Sequence, residues 1–312
     1  MTPDTDESSS LRKGPGTDTE GPVALAAGLH VLRAPNPSPM THTGTNTYLL
    51  GERDIAVIDP GPSIPAHMDA ILHAVPKGGR ISHIVVTHAH RDHSLLAGPL
   101  SDATGAPVLA AGGYAARRRP VMAALAEGGL VGGGEGVDVD FAPDQVVEDG
   151  ECITGEDWRL EAIATPGHIA DHLSFSWGEA IFTGDHVMGW ASSLVSPPDG
   201  DLTAFLTSCE RLAARPARAF YPGHGDPVTD PAGRLAWLVS HRGTRDTQIR
   251  AALGAASEST PAEITKRVYT DVAPALLPAA ERNVLAHLIA GWEAGKILAS
   301  PALSATARFS LA

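Results

Sequence analysis

Three imidazoles and a carboxylate fall within six residues of this chain: His88, His90, Asp92 and His93, in the run S-H-I-V-V-T-H-A-H-R-D-H-S-L-L-A-G at residues 82–98. Neutral imidazole and carboxylate are standard ligands for zinc and related cations. Four such groups near a core are costly without a partner. Helical zinc sites place two histidines at i and i+4, as in H-E-x-x-H. Here His88 and His90 stand at i and i+2, which suits a strand end or a tight loop. Asp92 and His93 are adjacent and must diverge, so one ion cannot easily take all four groups. The spacing therefore favours two neighbouring metals. The plainer alternative is a solvated turn that happens to be rich in histidine.

The element that must position these residues is the β-branched run Ile84, Val85 and Val86, which reads as a buried strand. Thr87 leads out of it and Ser94 opens a helix. The same construction recurs three times. Residues 160–164 run into T-P-G-H, ending at His168. A short apolar run from Ala180 ends in Gly184 and Asp185, and another from Ala219 ends in Pro-Gly-His224. Each is a strand, a glycine-containing turn and a ligand-type side chain, so four strand ends would deliver seven ligands to one place.

Taken together, T-H-x-H-x-D-H, T-P-G-H, G-D and G-H resemble the metallo-β-lactamase superfamily, from about Leu29 to the C-terminus. The resemblance implies an α+β fold, a four-layer αββα sandwich with the ligands at one edge of its sheets. The element pattern alone says only α/β or α+β. Carried over residue by residue, it implies that His88, His90 and His168 hold one metal and that Asp92, His93 and His224 hold a second, with Asp185 bridging. Two zinc ions per chain are expected, with iron or manganese as alternatives. Such a pair, about 3.5–4 Å apart, acidifies a shared hydroxide and makes it the nucleophile. Asp92 would orient that nucleophile and Asp185 would offset the metal charge, so these two are the expected catalytic residues. Asn46 and Thr47, in the proline-rich loop that borders the site in this family, are the expected substrate contacts. His172 is expected to support the site without reacting, and His186 to point away. His42 is the remaining histidine in a loop facing the cleft.

The segments G-T-N-T-Y-L, T-P-G-H-x-x-D-H and Y-P-G-H-G resemble one branch of the superfamily, the lactamase-beta-2-like and glyoxalase II-like proteins. That branch carries a small C-terminal helical, winged-helix-like domain, and it includes bacterial hydrolases and a mitochondrial endoribonuclease. The expected organisation is a disordered tail at 1–22, a catalytic domain at 23–240 and the helical domain at 241–312. Thr260, Pro261 and Glu263 make a helix start in the second of these domains, with a threonine cap and a proline at the first position.

Several activities drop out. The best-known zinc lactamases have cysteine where Asp185 stands, and the oxygen-reducing di-iron relatives replace the histidine at position 90 with glutamate. The interval from Asp185 to His224 is too short for the domain inserted in the long RNA-processing members. The net charge is −13, and residues 241–312 carry eight Lys or Arg against six Asp or Glu, so no basic field for nucleic acid is evident. The basic triplet Arg117, Arg118 and Arg119 reads as a solvated helix face, or as a greeting for an anionic substrate. Loops 35–47 and 188–198 carry no Lys or Arg, whereas Met40, Met188, Trp190 and Leu194 offer apolar contact.

The favoured reading is a dinuclear zinc hydrolase of a small ester, thioester or lactone. The alternatives are a single-strand endoribonuclease, a mononuclear iron enzyme like the persulfide dioxygenases, and a non-enzymatic metal-stabilised scaffold. The only cysteines, Cys152 and Cys209, form no paired motif. Together with the lack of a signal-peptide pattern or a spanning apolar run, they place the protein in the cytoplasm. A small-molecule partner is expected, without a membrane, and RNA is not favoured. The near-neutral tail suits packing or homodimerisation.

Overall fold

A computed structural model describes residues 21–132 and 136–312. Residues 1–20 of the expected disordered tail, and the centre of the glycine-rich connection at 128–136, therefore lie outside the described residues.

Two sheets stack face to face. The first holds seven strands in chain order: β1 (Val23–Ala26), β2 (Leu29–Arg33), β3 (Asn46–Leu50), β4 (Asp54–Ile58), β5 (Arg80–Val85), β6 (Val108–Ala110) and β7 (Gln145–Val146). Pairing is antiparallel as far as β4 and parallel from β4 onward. The parallel half needs crossovers. These are α1 (Pro65–Ala74), the short turn α2 (Arg91–Ser94) with α3 (Ala97–Thr104), and α4 (Pro120–Glu127). The second sheet holds β8 (Cys152–Thr154), β9 (Arg159–Ala164), β10 (Leu173–Trp177), β11 (Ala180–Gly184) and β12 (Ala219–Pro222). Helix α5 (Leu202–Ala213) crosses between the parallel pair β11 and β12.

Alternation along the strands fixes the layers. Tyr48, Leu50, Ile58 and Val85 face inward to meet Leu160, Phe175 and Phe182 of the second sheet. Their neighbours Leu49, Val57 and Ile84 face outward against Ile71 of α1 and Leu100 of α3. On the far side Ile163, Ile181 and Phe220 pack under Phe205 and Leu212 of α5. Both faces of each sheet are covered, giving the αββα sandwich expected from the sequence.

The C-terminal part consists of α6 (Pro231–Gly254), α7 (Pro261–Val268), α8 (Leu277–Glu293) and the hairpin β13 (Ile297–Ser300) with β14 (Arg308–Leu311). Thr260 and Glu263 form the capping box read from the sequence. No linker falls at residue 241: α6 runs through it unbroken, with Leu235 and Leu238 on the sandwich and Ile249 and Leu253 in the tail's own core. That core also takes Met122 and Leu125 from α4.

The segment from Tyr114 to Leu125 is not one helix. Pro120 disfavours helical backbone at the residue before it, and Arg118 and Arg119 are extended between a short 3-10 turn and α4. The three guanidiniums are neither a solvated face nor a substrate greeting. Arg117 pairs with Glu148, Arg118 with Asp199, and Arg119 with both Asp201 and Glu293.

Candidate metal centre

Four strand ends converge at one edge of the sandwich. The chain leaves β5 through Thr87 and delivers His88, His90, Asp92 and His93. His168 follows β9, Asp185 follows β11 and His224 follows β12. Two glycines permit the close approach. A Cβ at Gly184 (φ 45°) would lie 2.7 Å from His172 Nε2 and 2.8 Å from Thr87 Oγ1, and one at Gly223 would collide with Asp185 and the His93 ring.

All seven side chains come together, each at most 8 % exposed. His88 Nε2 and His168 Nε2 both lie 2.9 Å from His90 Nδ1. Asp92 Oδ2 lies 3.5 Å from His93 Nε2 and 3.2 Å from His224 Nε2. Asp185 stands between the two groups. Its Oδ2 is 3.3 Å from His224 Nε2 and 3.8 Å from His168 Nε2, while Oδ1 is 3.5 Å from His93 Nε2.

The donor set fits divalent cations. Both Asp92 oxygens, Asp185 Oδ1 and His93 Nε2 are buried without a hydrogen-bond partner, a costly state that a cation relieves. The ligand nitrogens of His88, His90 and His168 lie within 4.8 Å of one another, close enough to share one ion. Burial disfavours the His93 cation, but Asp92, Asp185 and Asp59 outweigh it and hold His93 well above its ordinary value. Burial likewise opposes protonation of His224, yet Asp185 and Asp92 raise it to about 9. Burial alone would raise Asp92, and it is held at about 2 by His93 and His224. In the other group, burial and the neighbouring His168 push His90 down to about 3, so those rings are neutral, as ligands must be.

Behind the ligands lies a layer that sets their orientation. Asp59 sits at a positive φ of 52° just after β4 and is 2 % exposed. Its Oδ1 accepts from the Thr87 amide at 2.7 Å, and its Oδ2 accepts from the Thr87 hydroxyl at 2.8 Å and from His93 Nδ1 at 2.9 Å. Because Thr87 donates to Asp59, its oxygen is free to accept from His88 Nδ1, 2.9 Å away. One carboxylate thereby aims a ligand of each group. His168 Nδ1 donates to Leu194 O at 2.7 Å, and His224 Nδ1 to Gly44 O at 3.2 Å. His172 Nε2 accepts from the Asp185 amide at 3.2 Å, the supporting place expected for it. His186 faces Cys209 and Phe205, away from the ligands.

Asn46 and Thr47 sit one layer behind the opening, 2 % and 0 % exposed. Asn46 donates to the carbonyls of Pro222 and Gly225, and Thr47 donates to Asp59 O and contacts His67. Both therefore support the β3 and β12 ends, and their side chains are taken up by protein groups. Asp59 is the residue that the sequence reading misses; its signal is the D-P-G-P turn directly after a strand.

The comparisons agree with this geometry. Residues 40–224 match the family model described as metallo-beta-lactamase superfamily, and residues 260–289 match the beta-lactamase associated winged helix domain. A beta-lactamase-like protein 2 homolog of Caenorhabditis elegans is 30 % identical, with 80 % of this chain and 79 % of that protein covered. Two fungal relatives are covered over less of their own length. An atrochrysone carboxyl ACP thioesterase of a Cryptosporiopsis species is 29 % identical over 70 % of this chain and 60 % of its own, and thioesterase pkgB of Emericella nidulans is 30 % identical over 70 % and 56 %. Among solved structures, a beta-lactamase domain protein of Burkholderia ambifaria superposes with a TM-score of 0.77 at 22 % identity, covering 95 % of this chain and 96 % of that one. A metallo-beta-lactamase family protein of Thermus thermophilus gives 0.72 at 25 %, covering 93 % and 100 %. The chain belongs to the metallo-beta-lactamase superfamily. It is an enzyme of that superfamily, a metal-dependent hydrolase that carries the associated winged helix domain.

Proposed function

We propose that the protein is a dinuclear zinc hydrolase of a small ester or lactone or, first among these, a thioester. The observation that carries the proposal is the position of Asp185, which contacts ligands of both groups at 3.3–3.8 Å. Bound zinc would supply an acidified water and polarise the acyl carbonyl. The chain's own residues hold that chemistry in place. His88, His90 and His168 would hold one ion and Asp92, His93 and His224 the other. Asp185 balances charge between them, and Asp59 and Leu194 O lock the rings. Hydrolysis adds the water oxygen to the acyl carbon, breaks the carbon–sulfur bond and releases a carboxylate and a thiol.

Two things support an acyl substrate over RNA. Fungal relatives are named as thioesterases, and the one compact basic cluster, Arg117 to Arg119, is already paired with carboxylates. The proposal includes a cytoplasmic setting, supported by the two free thiols. Among the described residues no helix is long and apolar enough to cross a membrane. The test is turnover of ester, thioester, lactone and single-stranded RNA panels by zinc-loaded protein. Metal-dependent thioester cleavage with no RNA cutting is expected, and efficient RNA cutting lost in Asp92→Ala would overturn the reading.

A further inference from the structure

Beside the metal centre lies a cavity of about 240 Å³, walled on one side by the sandwich and on the other by the winged helix domain. The sandwich contributes Met40, Met188, Trp190 and Leu194, the apolar residues of the two uncharged loops, and the tail contributes Tyr269, Leu276 and Ala279. Among its described lining residues none is charged. None of the seven candidate ligands lines it, but two of its lining residues touch the ligand segments. Leu194 lines it and gives its carbonyl to His168. Trp190 lines it, stacks on His42 at 4.7 Å and covers Gly225, the residue after His224.

The wall is fixed in advance. From α6, Arg234 donates to the carbonyls of Met188 and Ala191 at 2.7 and 2.6 Å, and the buried Arg242 donates to that of Ser193. From α8, Asn283 accepts from the Val195 amide at 3.2 Å and from Arg242 at 2.9 Å. A loop tied at four backbone positions loses little freedom on binding, so apolar contact is converted to affinity efficiently.

We infer that this cavity holds the acyl chain of the substrate, and that the winged helix domain sets the chain length accepted. The inference rests on the hydrolase reading and names the group that reading leaves open. A neutral cavity below the roughly 300 Å³ at which drug-sized sites begin suits one aliphatic chain of medium length. Its polar lining residues, Ser192, Tyr269 and Asn283, are neutral, so no described lining residue offers a cation to a phosphate.

The test uses the full-length, zinc-loaded chain and N-acetylcysteamine thioesters of acetyl, butyryl, hexanoyl, octanoyl and dodecanoyl groups. For wild type, kcat/KM should rise about three- to fourfold per methylene, the factor for about 0.8 kcal/mol, and level off near octanoyl. Ala279→Trp fills the cavity and should flatten that slope. Leu276→Glu, at a position exposed enough to tolerate it, should flatten it by placing a charge beside the chain. Ala124→Trp, in the separate groove beside α4, should leave the slope unaltered. Binding of the uncleavable thioether S-octyl-N-acetylcysteamine, followed by calorimetry, should weaken in Ala279→Trp and Leu276→Glu alike. Cleavage of the acetyl thioester with no chain-length slope in wild type would overturn this inference and leave the hydrolase reading intact. No cleavage of any thioester would remove the hydrolase reading's preferred substrate, and the thioether titration would then decide the cavity: unchanged binding in both variants overturns it.

Discussion

Asp59→Asn changes one atom and should disturb both metal positions at once. An asparagine tolerates the positive φ of 52° at this site, and its oxygen can still accept from the Thr87 amide, so the backbone should hold. The amide nitrogen replaces Oδ2, which in the native chain accepts from both the Thr87 hydroxyl and His93 Nδ1. That nitrogen donates to both instead. His93 must then carry its proton on Nε2, the atom aimed at Asp92 and Asp185. Thr87, now accepting from the introduced amide, turns its hydroxyl toward His88 Nδ1, which pushes that ring's proton to Nε2 as well. One ligand in each group is thus left in the non-binding tautomer. Loss of such an outer partner typically weakens metal affinity about 10- to 100-fold, or about 1.4–2.8 kcal/mol per position. Competition with a chromophoric chelator reads both affinities, and the circular dichroism spectrum should match wild type. Two ions bound at wild-type affinity by Asp59→Asn would refute the reasoning that this carboxylate sets the tautomers.

Asp185→Asn keeps the shape and removes the charge between the groups; the fold should survive while turnover collapses, and unchanged turnover at full metal occupancy would show that Asp185 is no bridge. Asn283→Ala strips partners from the Val195 amide and from Arg242, so thermal unfolding should report a loss of about 1–3 kcal/mol together with weaker metal retention, because the loop also orients His168. In the chelated protein, His224 is raised from 6.5 to about 9, against the pull of burial, by Asp185 and Asp92. A raised folded value gives stability that is complete below pH 6.5 and is lost as pH climbs through 9. The melting temperature of chelated protein should therefore fall across that window, while zinc-loaded protein, whose imidazoles are neutral throughout, should not follow it.

The ligand set is legible in the sequence because each ligand belongs to a local motif: a strand, a glycine turn and a donor. Sheet layering is legible only through the family resemblance, since Leu49 and Leu50, or Val57 and Ile58, face opposite layers although both of each pair are apolar. What resists reading depends on contacts distant in sequence. Arg117 to Arg119 resemble one helix face, yet Pro120 breaks the helix and the partners stand as far away as Asp199 and Glu293. Asn46 and Thr47 do lie near the site, but both faces of β3 are buried, so proximity gives no access. A change of composition suggests a domain boundary at residue 241, whereas α6 carries one hydrophobic stripe into each core. The strands β13 and β14 are four residues each, as β12 is, but lack the glycine turn and ligand-type side chain that mark β12 in the sequence.

The claim that everything else rests on is a pair of ions sharing Asp185. Anomalous diffraction from crystals of the zinc-loaded protein, recorded on both sides of the zinc edge, tests it most directly. Two full peaks about 3.5–4 Å apart are expected, one within reach of His88, His90 and His168 and one within reach of Asp92, His93 and His224, with Asp185 touching both. A single peak after zinc loading, or two peaks with Asp185 on neither, would contradict it.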